Sequence, residues 1–325
     1  MLSAMLVMLI VVLTLVGLVA ALTRFVEPPG DLPASSPRFG AVLLTVVLCG
    51  LGAHRIGGHT LAATAFAAGV AAAAVITGLP WLLAGVAALT AFAATVLAVV
   101  ATRPAKTQGH VVREYLVAIG VALVGAVSVG AYAAPMKPIV LGNVVLLTSL
   151  TATLWVAHRL GGGFHGLGKR GALVIVGAVT VLVVGLAYSE ALRRWGSPGL
   201  IESVAGWRES VTSMLGAVPR PLELFIGFPA LVWGLVTRSQ LRQGWWVCAF
   251  GCLGTAGVAT SLVGPGTAVG EELLSTVYSV AIGLVLGSVL WGLDLLLTGP
   301  RGRRARQAER TLPLRPEPAR SRPLL

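Results

Sequence analysis

Charge is what this sequence has least of. Only 11% of its 325 residues are Asp, Glu, Lys or Arg, against about a quarter in soluble domains. A single soluble core of this length cannot explain that deficit, so the bilayer becomes the expected solvent. Acids are scarcer than bases, 12 against 24, and only Lys106, Lys137 and Lys169 are lysines. Cysteine is nearly absent. Cys49, Cys248 and Cys252 all lie in apolar runs, where disulfides are not expected. Signatures of chemistry are lacking too. The histidines (His54, His59, His110, His158 and His165) form neither H-E-x-x-H nor another zinc spacing. G-x-S-x-G and D-D-x-x-D do not occur. No cofactor is implied. The first apolar run has no basic segment before it, so it reads as a retained span rather than a signal peptide.

What the chain has is apolar length. Hydrophobic residues make up 56% of it, and its mean hydropathy is +0.88. Apolar runs at 2–22, 39–53, 61–79, 81–101, 115–134, 140–157, 172–188, 222–236, 245–263 and 273–297 are candidate spans. The pattern predicts an all-α polytopic membrane bundle over residues 1–299, with about ten transmembrane helices. Residues 300–325 read as a disordered, basic cytoplasmic tail, with Pro313, Pro316, Pro318 and Pro323 opposing regular structure. The long polar interruption between spans, 197–219, predicts an extracytoplasmic amphipathic helix. Leu200, Ile201, Val204, Trp207, Val211, Met214, Leu215 and Val218 share one face. Ser197 and Pro198 would start this helix, and Pro219 and Pro221 would stop it.

The placement of charge sets the expected orientation. Residues 301–325 hold eight arginines against Glu309 and Glu317, and the other bases sit mostly in loops. The positive-inside rule then puts the C-terminus in the cytoplasm, and ten spans put the N-terminus there too. Nine spans with the N-terminus outside is the alternative. Arg55, just past the second run, is expected to snorkel toward water. The Ala, Gly and Val richness, with arginine favoured over lysine, suggests a GC-rich bacterial genome and hence the inner membrane. The net charge of +12 points to anionic lipid rather than nucleic acid. Lys169, Arg170, Arg301, Arg303 and Arg304 are the candidate lipid-phosphate contacts, and the tail could also bind a protein partner.

Several motifs need weighing. Gly163–Lys169 fits G-x-x-x-x-G-K, but Arg170 stands where a phosphate loop needs Ser or Thr, and no strand precedes it. A basic loop is the simpler reading. Residues 42–58 and 145–162 both carry V-L-L-T and then A-H-R-x-G-G, as a parallel repeat would. Glu271 and Glu272 open the last span. Paired glutamates also begin the E-E-x-x-x-R element of intramembrane CAAX-type proteases, but Thr276 stands at the arginine position and every histidine lies upstream, so that resemblance fails. Helix dipole complementarity explains the pair, and a solute entrance is the functional alternative. Asp294 lies deepest of the acids in a predicted span. Gly283 with Gly287, Ala65 with Gly69 and Ala73, and Cys248 with Cys252 are predicted packing faces.

No ionisable residue falls near the centre of a predicted span, which argues against an ion-coupled pump. Three readings of function remain. One is a permease for a small neutral or lipidic solute, its polar cavity lined by the sixth span, with Asn143, Thr148, Ser149, Asp294, Glu271 and Glu272 as candidates. The second is a membrane scaffold or accessory subunit, a solid bundle without a cavity. The third is an enzyme acting on a lipid-linked substrate at the outer face, with Glu190, Glu202, Glu223, Glu271 and Glu272 in a groove.

Overall fold

A computed structural model describes residues 4–26, 33–161, 168–196, 198–239, 241–263, 269–297 and 317–325. The described residues form helices and no strand. In chain order these are α1 (Ala4–Leu22), α2 (Ser36–Ile56), α3 (Thr60–Thr77), α4 (Pro80–Val100), α5 (Gln108–Ala131) and α6 (Pro138–Leu160). Next come α7 (Gly168–Trp195), α8 (Pro198–Leu215), a π-helical turn (Glu223–Gly227), α9 (Phe228–Arg238), α10 (Gly244–Ala249), α11 (Cys252–Ala259) and α12 (Val269–Leu297). Seven of them, α1 to α6 and α12, are long and apolar enough to cross a membrane.

That is fewer than the ten expected runs. The 222–236 run is helical throughout, a π turn leading directly into α9, and the 245–263 run forms α10 and α11, joined by a tighter turn in which Phe250 bonds Val247 and Gly251 bonds Cys248. The 172–188 run lies inside α7, several of whose side chains fall outside the described residues. A helix does form where the interfacial one was predicted. Its stop is Gly216, in the left-handed region at φ 77°, rather than the prolines beyond it. Trp207, Met214 and Leu215 on α8 are exposed.

The core lies among α2, α4, α5, α6 and α11, with α4 the most buried of the seven long helices. Small residues allow the close packing. A Cβ at Gly227 would lie 2.2 Å from the Gly254 nitrogen, so the π turn and α11 touch backbone to backbone. Gly283 and Gly287 of α12 take Phe228 and Val232 of α9 against them, as a GxxxG face should. The predicted α3 face is displaced: Ala67, Ala71 and Ala74 are buried, while open space surrounds Gly69. Polar side chains stitch the interior. Thr45 Oγ1 lies 2.7 Å from both Thr90 Oγ1 and Tyr132 Oη, joining α2, α4 and the end of α5.

One end of the bundle gathers arginines, and here two expectations fail. Arg55 does not snorkel. It is buried, and its Nε donates to the Val100 carbonyl at 3.0 Å. The tail is not free along its whole length either, because Glu317–Leu325 lies against this end, and Leu324 packs on the core. The 42–58 and 145–162 segments end in different surroundings. Arg55 is buried, whereas Arg159 is exposed and stacks over Trp155 at 5.3 Å.

Candidate functional site

The opposite end holds a cavity of about 730 Å³. Its walls are Pro138, Ile139, Gly142, Asn143 and Leu146 of α6, Leu186 of α7, Leu253 and Gly257 of α11, and the 260–263 segment. Arg208, Arg220, Glu223 and Glu272 add charge to the lining. From Pro138 to Leu146 the helix rises about 12 Å. That approaches the midplane of a hydrocarbon core about 30 Å thick.

Local backbone chemistry explains how these side chains meet. After α8 ends at Gly216, α12 clamps the returning chain: Ser275 Oγ donates to the Val218 carbonyl at 2.7 Å, and Tyr278 Oη donates to Leu215 at 2.9 Å. The Arg220 amide donates to Ser279 Oγ at 2.9 Å. Pro229 has no N–H to offer the carbonyl four residues before it, so an α-helical turn there would lose a bond. The helix widens instead, and the Phe228 amide bonds Glu223, five residues back. The widened turn carries Glu223 over Gly257, where a Cβ would lie 1.8 Å from Glu223 Oε1. Only glycine leaves that room.

Arg220 is the hub of the cluster. Its Nη1 donates to Glu223 Oε1 at 2.9 Å and to the Gly257 carbonyl at 3.1 Å, and its Nη2 pairs with Glu272. Burial opposes the guanidinium charge, but Glu223 and Glu272 outweigh it and hold its pKa above the ordinary arginine value. Glu223 is 3% exposed, and its Oε2 has no hydrogen-bond partner among the described residues. The described lining carries two arginines and two glutamates and is formally neutral. Apolar walls around a neutral, hydrogen-bonding floor suit an uncharged, zwitterionic or amphiphilic molecule better than a bare ion.

The predicted site residues separate on this geometry. Asn143 and Glu272 line the cavity; Glu271 is half-buried and does not. Ser149 lies on the same inward side of α6, fully buried, and its hydroxyl has no partner among the described residues. Thr148 is exposed, and its hydroxyl bonds back to Val144 at 2.7 Å, so it is no part of a cavity. Asp294 is far from the cavity, near the arginine-rich end of α12, where it accepts from Trp233 Nε1 at 3.3 Å. Of the acids considered for a groove, Glu223 and Glu272 converge. Glu190 pairs with Arg194 at 2.7 Å, one turn along α7, and Glu202 is exposed on α8. The side chains of Lys169 and Arg170, and all of Arg301, Arg303 and Arg304, lie outside the described residues, as does Gly163–Leu167.

Arg220 was legible only as a loop arginine. The signal that could have found its role is the i, i+3 spacing to Glu223 across a proline, a polar pair at the mouth of an apolar run. No protein-family model matches this chain, and searches of curated proteins and of solved structures found no significant match either.

Proposed function

We propose that this protein is a permease for a small neutral or lipidic solute, which it takes into the cavity beside α6. The observation that carries this reading is the cavity and what lies beneath it. The inward side of α6 continues from Asn143 and Leu146 to Ser149 and Thr153; Thr153 Oγ1 donates to the Ser149 carbonyl of its own helix at 2.8 Å and lies 3.2 Å from the Ala249 carbonyl. Ala249 ends α10, and Phe250 and Gly251 carry the chain into α11 with their amides bonded three residues back, at 3.1 Å to Val247 and 2.9 Å to Cys248. Two buried hydroxyls, Ser149 and Thr153, thus continue the cavity side of α6 into the bundle and would offer a solute polar partners beyond the cavity. The scaffold reading, which needs a solid bundle, is less well supported.

About ten crossings agree with the course of the chain. α6 runs from the cavity to the arginine-rich end, where Gly161 meets Trp246, yet Arg220 is back at the cavity. The segment between includes α7, whose 28 residues rise about 42 Å, enough to cross. α10 and α11 together make the next return. In this arrangement the arginine-rich end and C-terminus face the cytoplasm of a bacterial cell, α8 lies on the outer surface, and Lys169, Arg170, Arg301, Arg303 and Arg304 contact anionic lipid.

The test is flux in proteoliposomes, with a panel of uncharged and zwitterionic solutes and a short-chain fluorescent phospholipid. Wild-type vesicles should equilibrate at least one probe faster than empty vesicles, and Asn143→Trp, which fills the cavity, should remove the difference without lowering the melting temperature. Equal rates for every probe would sink the permease. Conversion of a lipid-linked probe would favour the enzyme reading, which rests on the buried, unpartnered Glu223 oxygen.

A further inference from the structure

We infer that the arginine-rich end carries a built peptide-binding pocket, whose ligand is a short C-terminal peptide with a carboxylate three residues before an arginine, filled in this chain by its own Glu317–Leu325. The pocket does not use the cavity and does not depend on the permease reading.

Among the described residues, one buried arginine at this end meets no carboxylate of the bundle. Arg238, at the end of α9, is fully buried. Its Nη2 donates to the Thr102 carbonyl at 2.6 Å, and its guanidinium lies 3.9 Å over the Trp245 ring. These contacts fix its position and leave its charge uncompensated. The carboxylate that faces it belongs to the tail: Glu317 Oε1 is 3.3 Å from Arg238 Nε, an ion pair without hydrogen-bond geometry, and Glu317 is itself 5% exposed. Glu114, in the second turn of α5, meets a tail cation in addition to its partners in the bundle. It is 1% exposed, holds Arg113 and the Arg103 amide, and takes Arg320 of the tail as a further partner. Acid meets buried base and base meets buried acid, in the order that the peptide presents them.

The backbone is read as well. Arg55 Nη1 donates to the carbonyls of Ala319 at 2.7 Å and Arg322 at 2.6 Å. In return, the Leu324 amide donates to the Arg55 carbonyl at 2.8 Å. Arg320 Nε adds a bond to the Ala101 carbonyl at 3.1 Å. Leu324 packs against the core. Side-chain charge sets the register, main-chain bonds hold the peptide, which turns at 320–322 with the Arg322 amide on the Ala319 carbonyl at 2.9 Å, and Leu324 anchors it.

Two measurements test this in the full-length protein in nanodiscs. Hydrogen exchange read by mass spectrometry should show the Arg322 and Leu324 amides, which donate to Ala319 and Arg55, slowed by about a hundredfold relative to the free nonapeptide. The second uses the full chain carrying Glu317→Lys and Arg320→Glu, which releases the tail while leaving every bundle residue in place. This protein should bind a labelled synthetic nonapeptide of sequence 317–325. A peptide with both charges reversed should bind more weakly by about tenfold for each reversed charge. Unprotected tail amides in the unmodified protein would overturn the inference. So would failure of the native nonapeptide to bind, or equal binding of the two peptides.

Discussion

Replacing Arg220 by Met should cost this protein more than any other single change at the cavity. The substitution keeps an unbranched apolar stem about as far as Nε and removes the guanidinium with its charge. Glu223, 3% exposed, would lose its ion pair at 2.9 Å, Glu272 would lose its partner, and the Gly257 carbonyl would lose a donor at 3.1 Å. Each hydrogen bond to a charged group contributes about 1.5–3 kcal/mol, and removing one partner of a buried ion pair costs about 3–5 kcal/mol. The Arg220 side chain is 24% exposed, so water screens part of this and the expected loss lies at the lower end, about 3 kcal/mol. The same reasoning says that the cost comes from stranded carboxylates rather than from a lost attraction. Adding Glu223→Gln and Glu272→Gln to Arg220→Met should therefore recover most of the stability. Reversible unfolding in mixed micelles, followed by tryptophan fluorescence, measures both variants. A loss under about 1 kcal/mol for Arg220→Met, the range of an exposed pair, would refute the reasoning. So would a triple variant as unstable as the single one.

Two further outcomes follow from packing. Gly287→Ala should destabilise by about 1–3 kcal/mol, because its new Cβ would sit 2.6 Å from Val232 Cβ, whereas Gly69→Ala meets open space and should be neutral or slightly stabilising; parallel unfolding of the two variants checks the contrast. Tyr132→Phe removes the 2.7 Å bond to Thr45 Oγ1 and should cost about 0.5–1 kcal/mol, read as a small fall in melting temperature with no change in solute flux.

Helix class, the long spans and most of their limits were set by the sequence alone. A helix in lipid must satisfy its own backbone, so a run of about 20 apolar residues has few other options. The GxxxG pair in α12 was legible for the same local reason: two glycines one turn apart leave a groove wherever they occur, and Phe228 and Val232 fill it. What could not be read were properties that depend on a neighbour. Apolarity says nothing about which side of α3 meets α2, so Ala65 and Gly69 were as good a guess as Ala67 and Ala71. The tighter turn between α10 and α11, and the widened turn at Glu223, follow from close backbone approach and from Pro229, and no apolar count registers either. Arg55 was expected to reach water from the end of an apolar run, Arg238 was one of the bases assigned to loops, and nothing in the sequence marked Glu114. Only the tertiary structure turned them inward, where low polarity makes a matched charge worth holding, and the matching charges came from a tail more than 70 residues beyond Arg238 in the chain. Arg220, Glu223 and Glu272 show the same division. Each was visible as a polar residue at a membrane boundary, and their convergence beneath a cavity was decided by how α11 and α12 fold back over the π turn.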